Sequence, residues 1–191
     1  LSEAVVTTSY SMFSDNNIFL RDPRRNIRLK FMFLHRDIFS IDLLNISETG
    51  LDLYIIAETK HEIKANENVN VSYLSPMTAL ELARFYGDKD IFLSLNRYDT
   101  FSISTAEAMA SGLIPVVTSQ TGISRYIDGG KNGFIVDYGD RLKLNEILKI
   151  ISGYDGTQRQ KIQDSAVMIY ESLAWKNVHE MYLDLYRETA A

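Results

Sequence analysis

Between Asp90 and Thr118 the chain spells out strand, polar loop, helix, glycine and strand, an order that few folds accommodate. Ile91-Phe92-Leu93-Ser94-Leu95 is an apolar run that closes in the polar turn Asn96-Arg97-Tyr98. Asp99 follows, then a helix-forming stretch to Ala110, then Gly112 and an apolar strand from Pro115 to Thr118. A strand, a crossover helix and a second strand form the unit from which parallel sheets are built. The segment is a βαβ unit.

Other segments repeat the alternation. Arg28 to Leu34 is almost continuously apolar, as strands buried on both faces are. Leu51 to Ala57, introduced by Gly50, and Val69 to Leu74 read as two more strands. Helices are expected from Ile38 to Ile46 and from Met77 to Tyr86, the latter with Pro76 at its first turn. Asp140 opens a helix with Leu144, Ile147, Leu148 and Ile151 on one face. A helix from Thr157 to Leu173 aligns Ile162, Ala166, Ile169, Tyr170 and Leu173, and a last one lines up Val178, Met181, Tyr182 and Leu185. The fold class is therefore α/β, a Rossmann-like parallel sheet flanked by helices.

The 191 residues are enough for one sizeable domain with a real core. A net charge of −5 argues against a broad nucleic-acid-binding face. There is no cysteine, which excludes disulfides and thiolate chemistry, and His35, His61 and His179 are too far apart in sequence to suggest a zinc site. No apolar run approaches the roughly 20 residues that span a bilayer, so no transmembrane segment is expected. Composition points to a cytoplasmic globular domain.

In open α/β sheets, ligands gather where strands end and helices begin. A helix start attracts phosphate, and a carboxylate accepts hydrogen bonds from a diol. Asp99 stands just ahead of such a start and Glu107 lies within the helix. Each has an ordinary alternative, Asp99 as turn or helix cap and Glu107 as a solvated helical acid.

The segment Asp99, seven residues, then Glu107-Ala108-Met109-Ala110-Ser111-Gly112-Leu113-Ile114-Pro115-Val116-Val117 resembles the signature of retaining glycosyltransferases of GT-B architecture, the group-1 or family-4 type. That family usually has Glu at the first acid and one residue fewer between the glycine and the proline. Thr118 to Ser124, Ile127 to Val136 and the tail from Leu173 to Tyr186 are similar to its next loop, strand and closing helix. The resemblance is good from Val69 to Tyr186 and weak before it.

The resemblance implies a donor-binding, C-terminal half of a GT-B fold that uses a nucleotide-diphosphate sugar without a bound metal. Glu107 would accept hydrogen bonds from the ribose, and Asp99 and Arg36 would act on donor sugar and diphosphate. Thr100, Phe101, Ser102 and Ile103 would line the diphosphate, where the family commonly has glycines around its aromatic residue. Gly122 and Ile123 match its sugar-facing loop, and Phe101 reads as core rather than a stacking platform. The family's phosphate-binding lysine is not evident, since Ile41 and Asp42 occupy its neighbourhood, so Arg97 or Arg125 would have to substitute.

Residues 26–191 would be the nucleotide-sugar-binding domain with its C-terminal helices. Residues 1–25 would be the end of the N-terminal, acceptor-binding domain and the hinge, with Pro23 in a polar stretch. Most of that partner domain is then absent from this chain, and the terminal helix would return toward it. Through that half the protein could sit peripherally at a membrane. A catalytically degenerate nucleotide-sugar-binding module in a partner complex is the alternative, and a sugar-nucleotide epimerase of the same architecture is a weaker one.

Overall fold

The computed structural model describes residues 29–34, 51–56 and 69–189. The expected helix over 38–46, the segment 1–25 and Arg36 lie outside them.

Among the described residues six strands, β1 (Leu29–Leu34), β2 (Leu51–Ile56), β3 (Val69–Leu74), β4 (Ile91–Ser94), β5 (Ile114–Thr118) and β6 (Phe134–Val136), form one sheet in the order β3-β2-β1-β4-β5-β6. All pairings are parallel, with Leu29 beside Leu51, Ile91 beside Ile114 and Val116 beside Phe134. The order reverses between β1 and β4, which pair only through Phe31–Ile91, Met32–Phe92 and Phe33–Leu93. That reversal is the place where an open α/β sheet leaves a crevice at its carboxyl edge. The expected fold class holds: an α/β fold with a parallel sheet flanked by helices.

Alternation along β4 and β5 feeds two cores. Ile91, Leu93, Leu95, Ile114 and Val116 pack on one face with Leu144, Ile147, Leu148 and Ile151 of α3 (Arg141–Ser152). On the other face, Phe92 meets Tyr86 of α1 (Ala79–Tyr86) and Ala108 of α2 (Ile103–Ala110), while Val117 meets Met109 and Ile123. Full burial of each such aliphatic side chain is worth about 1.5–3 kcal/mol, so the unbroken apolar runs dictate a central, doubly covered sheet. Pro115 sits in β5 before β6 begins to pair, where its missing N–H costs least. Its ring fills the space beside Gly133: a Cβ there would lie 2.5 Å from the Pro115 Cγ.

Three helix expectations shift. The helix expected from Met77 begins at Ala79, because Thr78 caps it: the Glu81 carboxylate accepts from the Thr78 amide at 2.8 Å and hydroxyl at 2.7 Å. Pro76 therefore lies ahead of the helix. The helix expected over Thr157–Leu173 is two, α4 (Gly156–Val167) and α5 (Ile169–Leu173), with Met168 between them at ψ −10°. There the Glu171 amide bonds the Met168 carbonyl at 3.1 Å, a 3₁₀-type step. The last helix, α6 (Trp175–Thr189), has the expected stripe but buries none of it. Trp175, Met181, Tyr182, Leu185 and Tyr186 are all exposed. Among the described residues no helix is long and apolar enough to cross a membrane.

Candidate functional site

β4 ends at Ser94, and the loop to α2 folds around the Asp99 carboxylate. Its Oδ1 accepts from the Phe101 amide at 3.1 Å and from the Ser102 amide at 3.0 Å. Its Oδ2 accepts from Asn96 Nδ2 at 3.3 Å. Asp99 thus closes the turn ahead of α2, one of the ordinary alternatives that its sequence position allowed, and does not bond the first amides of the helix itself. Three acceptor positions are filled, and one on Oδ2 has no donor among the described residues.

A second loop is laced to the first. The Gly122 amide bonds the Asp99 carbonyl at 3.0 Å, and Asp99 and Thr121 form a parallel bridge. A Cβ on Gly122 would stand 2.0 Å from the Thr100 carbonyl oxygen. Gly122 opens a 3₁₀ turn (Gly122–Tyr126) that buries the Ile123 side chain completely. Ile123 can therefore face a ligand only through its backbone. Phe101 is half-buried with its ring edge against Tyr126, centroids 6.0 Å apart, which fits the expectation of a packing role.

Ser102 precedes α2 with φ 72° and ψ 69°, and among the described residues it alone has positive φ without being glycine. Its hydroxyl is buried, 3.3 Å from Ser94 Oγ and 2.7 Å from Thr105 Oγ1. Because the Phe101 and Ser102 amides serve Asp99, they are not available to a phosphate. The next two are: the Ile103 and Ser104 amides have no acceptor among the described residues. They sit at the positive end of the α2 dipole.

Glu107 lies one turn further along α2, half-buried, on the same face as Ile103. Burial drives the Tyr86 phenol well above its ordinary pKa, and the Glu107 carboxylate pushes it further the same way. Glu107 therefore lies near enough to Tyr86 of α1 for its charge to be felt there. The structure therefore gathers Asp99, Thr100, Phe101, Ser102, Ile103, Gly122 and Ile123 at two laced loops, with Glu107 on the flank. Arg97 and Arg125 are exposed nearby in sequence. The chain passes Leu34 at the end of β1 shortly before Arg36.

Sequence reading missed Ser94, Asn96 and Thr105. Asn96 supports Asp99, its carbonyl accepts from Thr118 Oγ1 at 2.6 Å, and its own Oδ1 is buried with no partner among the described residues. The one available signal was two polar residues where an apolar strand ends.

A family model described as glycosyl transferases group 1 matches residues 37–152. A curated D-inositol 3-phosphate glycosyltransferase from Paenarthrobacter aurescens is 29% identical over 122 residues, covering 63% of this chain and 29% of that protein. The solved sucrose-phosphate synthase of Thermosynechococcus elongatus superposes with TM-score 0.67 at 15% identity, over 88% of this chain and 46% of that one. The C-terminal domain of the group 1 family glycosyl transferase LpcC from Francisella tularensis superposes with TM-score 0.61 at 14% identity, over 83% of this chain and 92% of that domain. The chain thus spans under a third of the length of that curated relative and most of an isolated C-terminal domain.

Proposed function

We propose, since this chain belongs to the glycosyl transferases group 1 family, that it is the donor-binding half of a retaining glycosyltransferase acting on a nucleotide-diphosphate sugar. One observation carries the reading: after β4, beside the switch point, helix-start amides with no acceptor among the described residues follow one carboxylate, Asp99, and precede another, Glu107. Amides at a helix start suit a diphosphate, and a carboxylate on each side suits hydroxyls of a sugar and a ribose.

In this reading the Ile103 and Ser104 amides receive the diphosphate, and Thr100 offers its exposed hydroxyl. As the bond from the sugar's anomeric carbon to the diphosphate breaks, negative charge grows on the departing oxygens. The α2 dipole points to where it grows, Arg36 is the cation this reading assigns to the same charge, and one such contact is worth about 3 kcal/mol of barrier. Asp99 Oδ2 takes a donor-sugar hydroxyl and Glu107 the ribose. The acceptor is held by an N-terminal domain that packs over the crevice, with the apolar stripe of α6 turned to it. No bound metal enters the scheme.

Calorimetry with UDP, GDP and ADP tests the proposal. Glu107→Gln is expected to weaken binding of the preferred nucleotide by about 1–3 kcal/mol, the loss of a hydrogen bond to a charged group. Equal affinity in wild type and variant for all three nucleotides removes Glu107 from the site. Binding without turnover, in a protein completed by its acceptor domain, favours instead a nucleotide-sugar-binding module. The missing lysine, with Ile41 and Asp42 in its place, is the feature that keeps that second reading.

A further inference from the structure

We infer that Asn96 is a positioning residue: acting through Asp99, it holds Ser102 in a left-handed conformation and so presents the Ile103 and Ser104 amides. The ligand half of this inference rests on the donor-site reading above.

Three observations converge on it. Ser102 is an L-residue with φ 72°, a conformation whose steric cost must be met by its surroundings. Besides the bond of its hydroxyl with Thr105 Oγ1 inside α2, those surroundings tie it at two points. Its amide is bound to Asp99 Oδ1, and its hydroxyl lies near Ser94 Oγ, itself 3.4 Å from Asn96 Nδ2. Both ties lead back to the Asn96 amide group, which donates to Asp99 and to Ser94.

Asn96 performs this at a cost of its own, because its Oδ1 is buried and accepts nothing from the described residues. Turning the amide over would not help, since the oxygen would then face a carboxylate that has no proton to give. A buried acceptor left unsatisfied calls for an explanation, and the anchoring of Asp99 supplies one.

Without Asn96, Asp99 loses the bond that fixes Oδ2, and its carboxylate turns away from the two amides it caps. Ser102 then relaxes to negative φ, and the helix start moves with it. Glycine at 102 reaches positive φ at no steric cost, so it makes the clip dispensable. That substitution separates positioning from general support of the fold.

The test is titration of the full chain with inorganic pyrophosphate, followed by the NMR signals of the Ile103 and Ser104 amides. Asn96→Ala is expected to weaken pyrophosphate about fivefold, the effect of one hydrogen bond, and Asn96→Ala/Ser102→Gly to regain the affinity of Ser102→Gly alone. Unchanged affinity in Asn96→Ala, or a double variant as weak as Asn96→Ala, overturns the inference. Should Asn96→Ala not fold, Asn96→Ser, too short to reach Asp99, takes its place with the same two outcomes. If pyrophosphate moves neither amide in the wild type, the donor-site reading is what has failed. The amide–Hα coupling of residue 102 then decides: a left-handed value lost in the Asn96 variant supports the clip, and an unchanged one overturns it.

Discussion

The Thr100 carbonyl oxygen occupies the space where a side chain on Gly122 would begin, 2.0 Å from the Cβ position. Two loops from different βα connections meet there backbone to backbone. Gly122→Ala is expected to part them and to lower stability by about 1–3 kcal/mol, the usual cost of overpacking. Thermal denaturation checks it, and a melting temperature equal to wild type would mean that the loops are not held together at this point.

Ser102 supports an inverted substitution order. Ser102→Ala keeps the strained φ and loses the contacts to Ser94 and Thr105, a loss of about 2 kcal/mol at roughly 1 kcal/mol per hydrogen bond. Ser102→Gly loses the same contacts but relieves about 1 kcal/mol of strain. Glycine should therefore be the milder change. Urea denaturation of both variants decides it, and alanine at least as stable as glycine removes strain from the account.

Asp99→Asn retains the Oδ1 acceptor for Phe101 and Ser102 but sets an NH₂ group against Asn96 Nδ2. The expected result is a modest fall in stability, about 1 kcal/mol, together with a turnover that falls more than nucleotide affinity does. Steady-state kinetics in a protein completed by its acceptor domain, beside a melting curve, separate the two effects. A lowered melting temperature with unchanged turnover would leave Asp99 as a cap alone.

Tyr86 makes the fold sensitive to alkali. Its phenol is fully buried and faces the field of Glu107, so its pKa in the folded protein stands well above the ordinary 10.0. Above pH 10.0, and up to that raised value, the unfolded chain releases the Tyr86 proton while the folded chain keeps it. The unfolded state then binds fewer protons, and stability falls as pH rises, by about 1.4 kcal/mol per pH unit from this group. Denaturant melts at pH 9 and pH 11 should show the fall, and Tyr86→Phe should flatten it. Equal pH slopes in wild type and variant would refute the assignment.

The sheet was legible because buried parallel strands are apolar without interruption, as in Ile91–Leu93 and Ile114–Val117. Helix ends were less so. The break at Met168 escaped because Ile162, Ala166, Ile169 and Leu173 continue one apolar stripe across it. Periodicity follows side chains and is blind to a change in the backbone hydrogen-bond ladder. At the site, the turn-forming role of Asp99 was foreseeable from its chemistry. The left-handed turn at Ser102 was not, since serine seldom adopts it and the residues that impose it, Ser94 and Asn96, are ordinary when read singly. Ile123 was assigned to a ligand-facing loop and its side chain went to the core, because a 3₁₀ turn rather than an extended segment follows Gly122.

The central seam has a consequence for how the molecule assembles. Within each half of the sheet, paired strands are about twenty residues apart in sequence, but Phe31 and Ile91 are about sixty apart. Longer closure costs more chain entropy and is met later, so β1 should join β4 after β1–β3 and β4–β6 have each begun to form. Pulse-labelled hydrogen exchange would reveal this as late protection of β1–β4 amides, and simultaneous protection would refute it. The crevice beside that seam then comes into being with the last large step of folding. A chain stalled before it would hold two half-sheets and no place for a ligand.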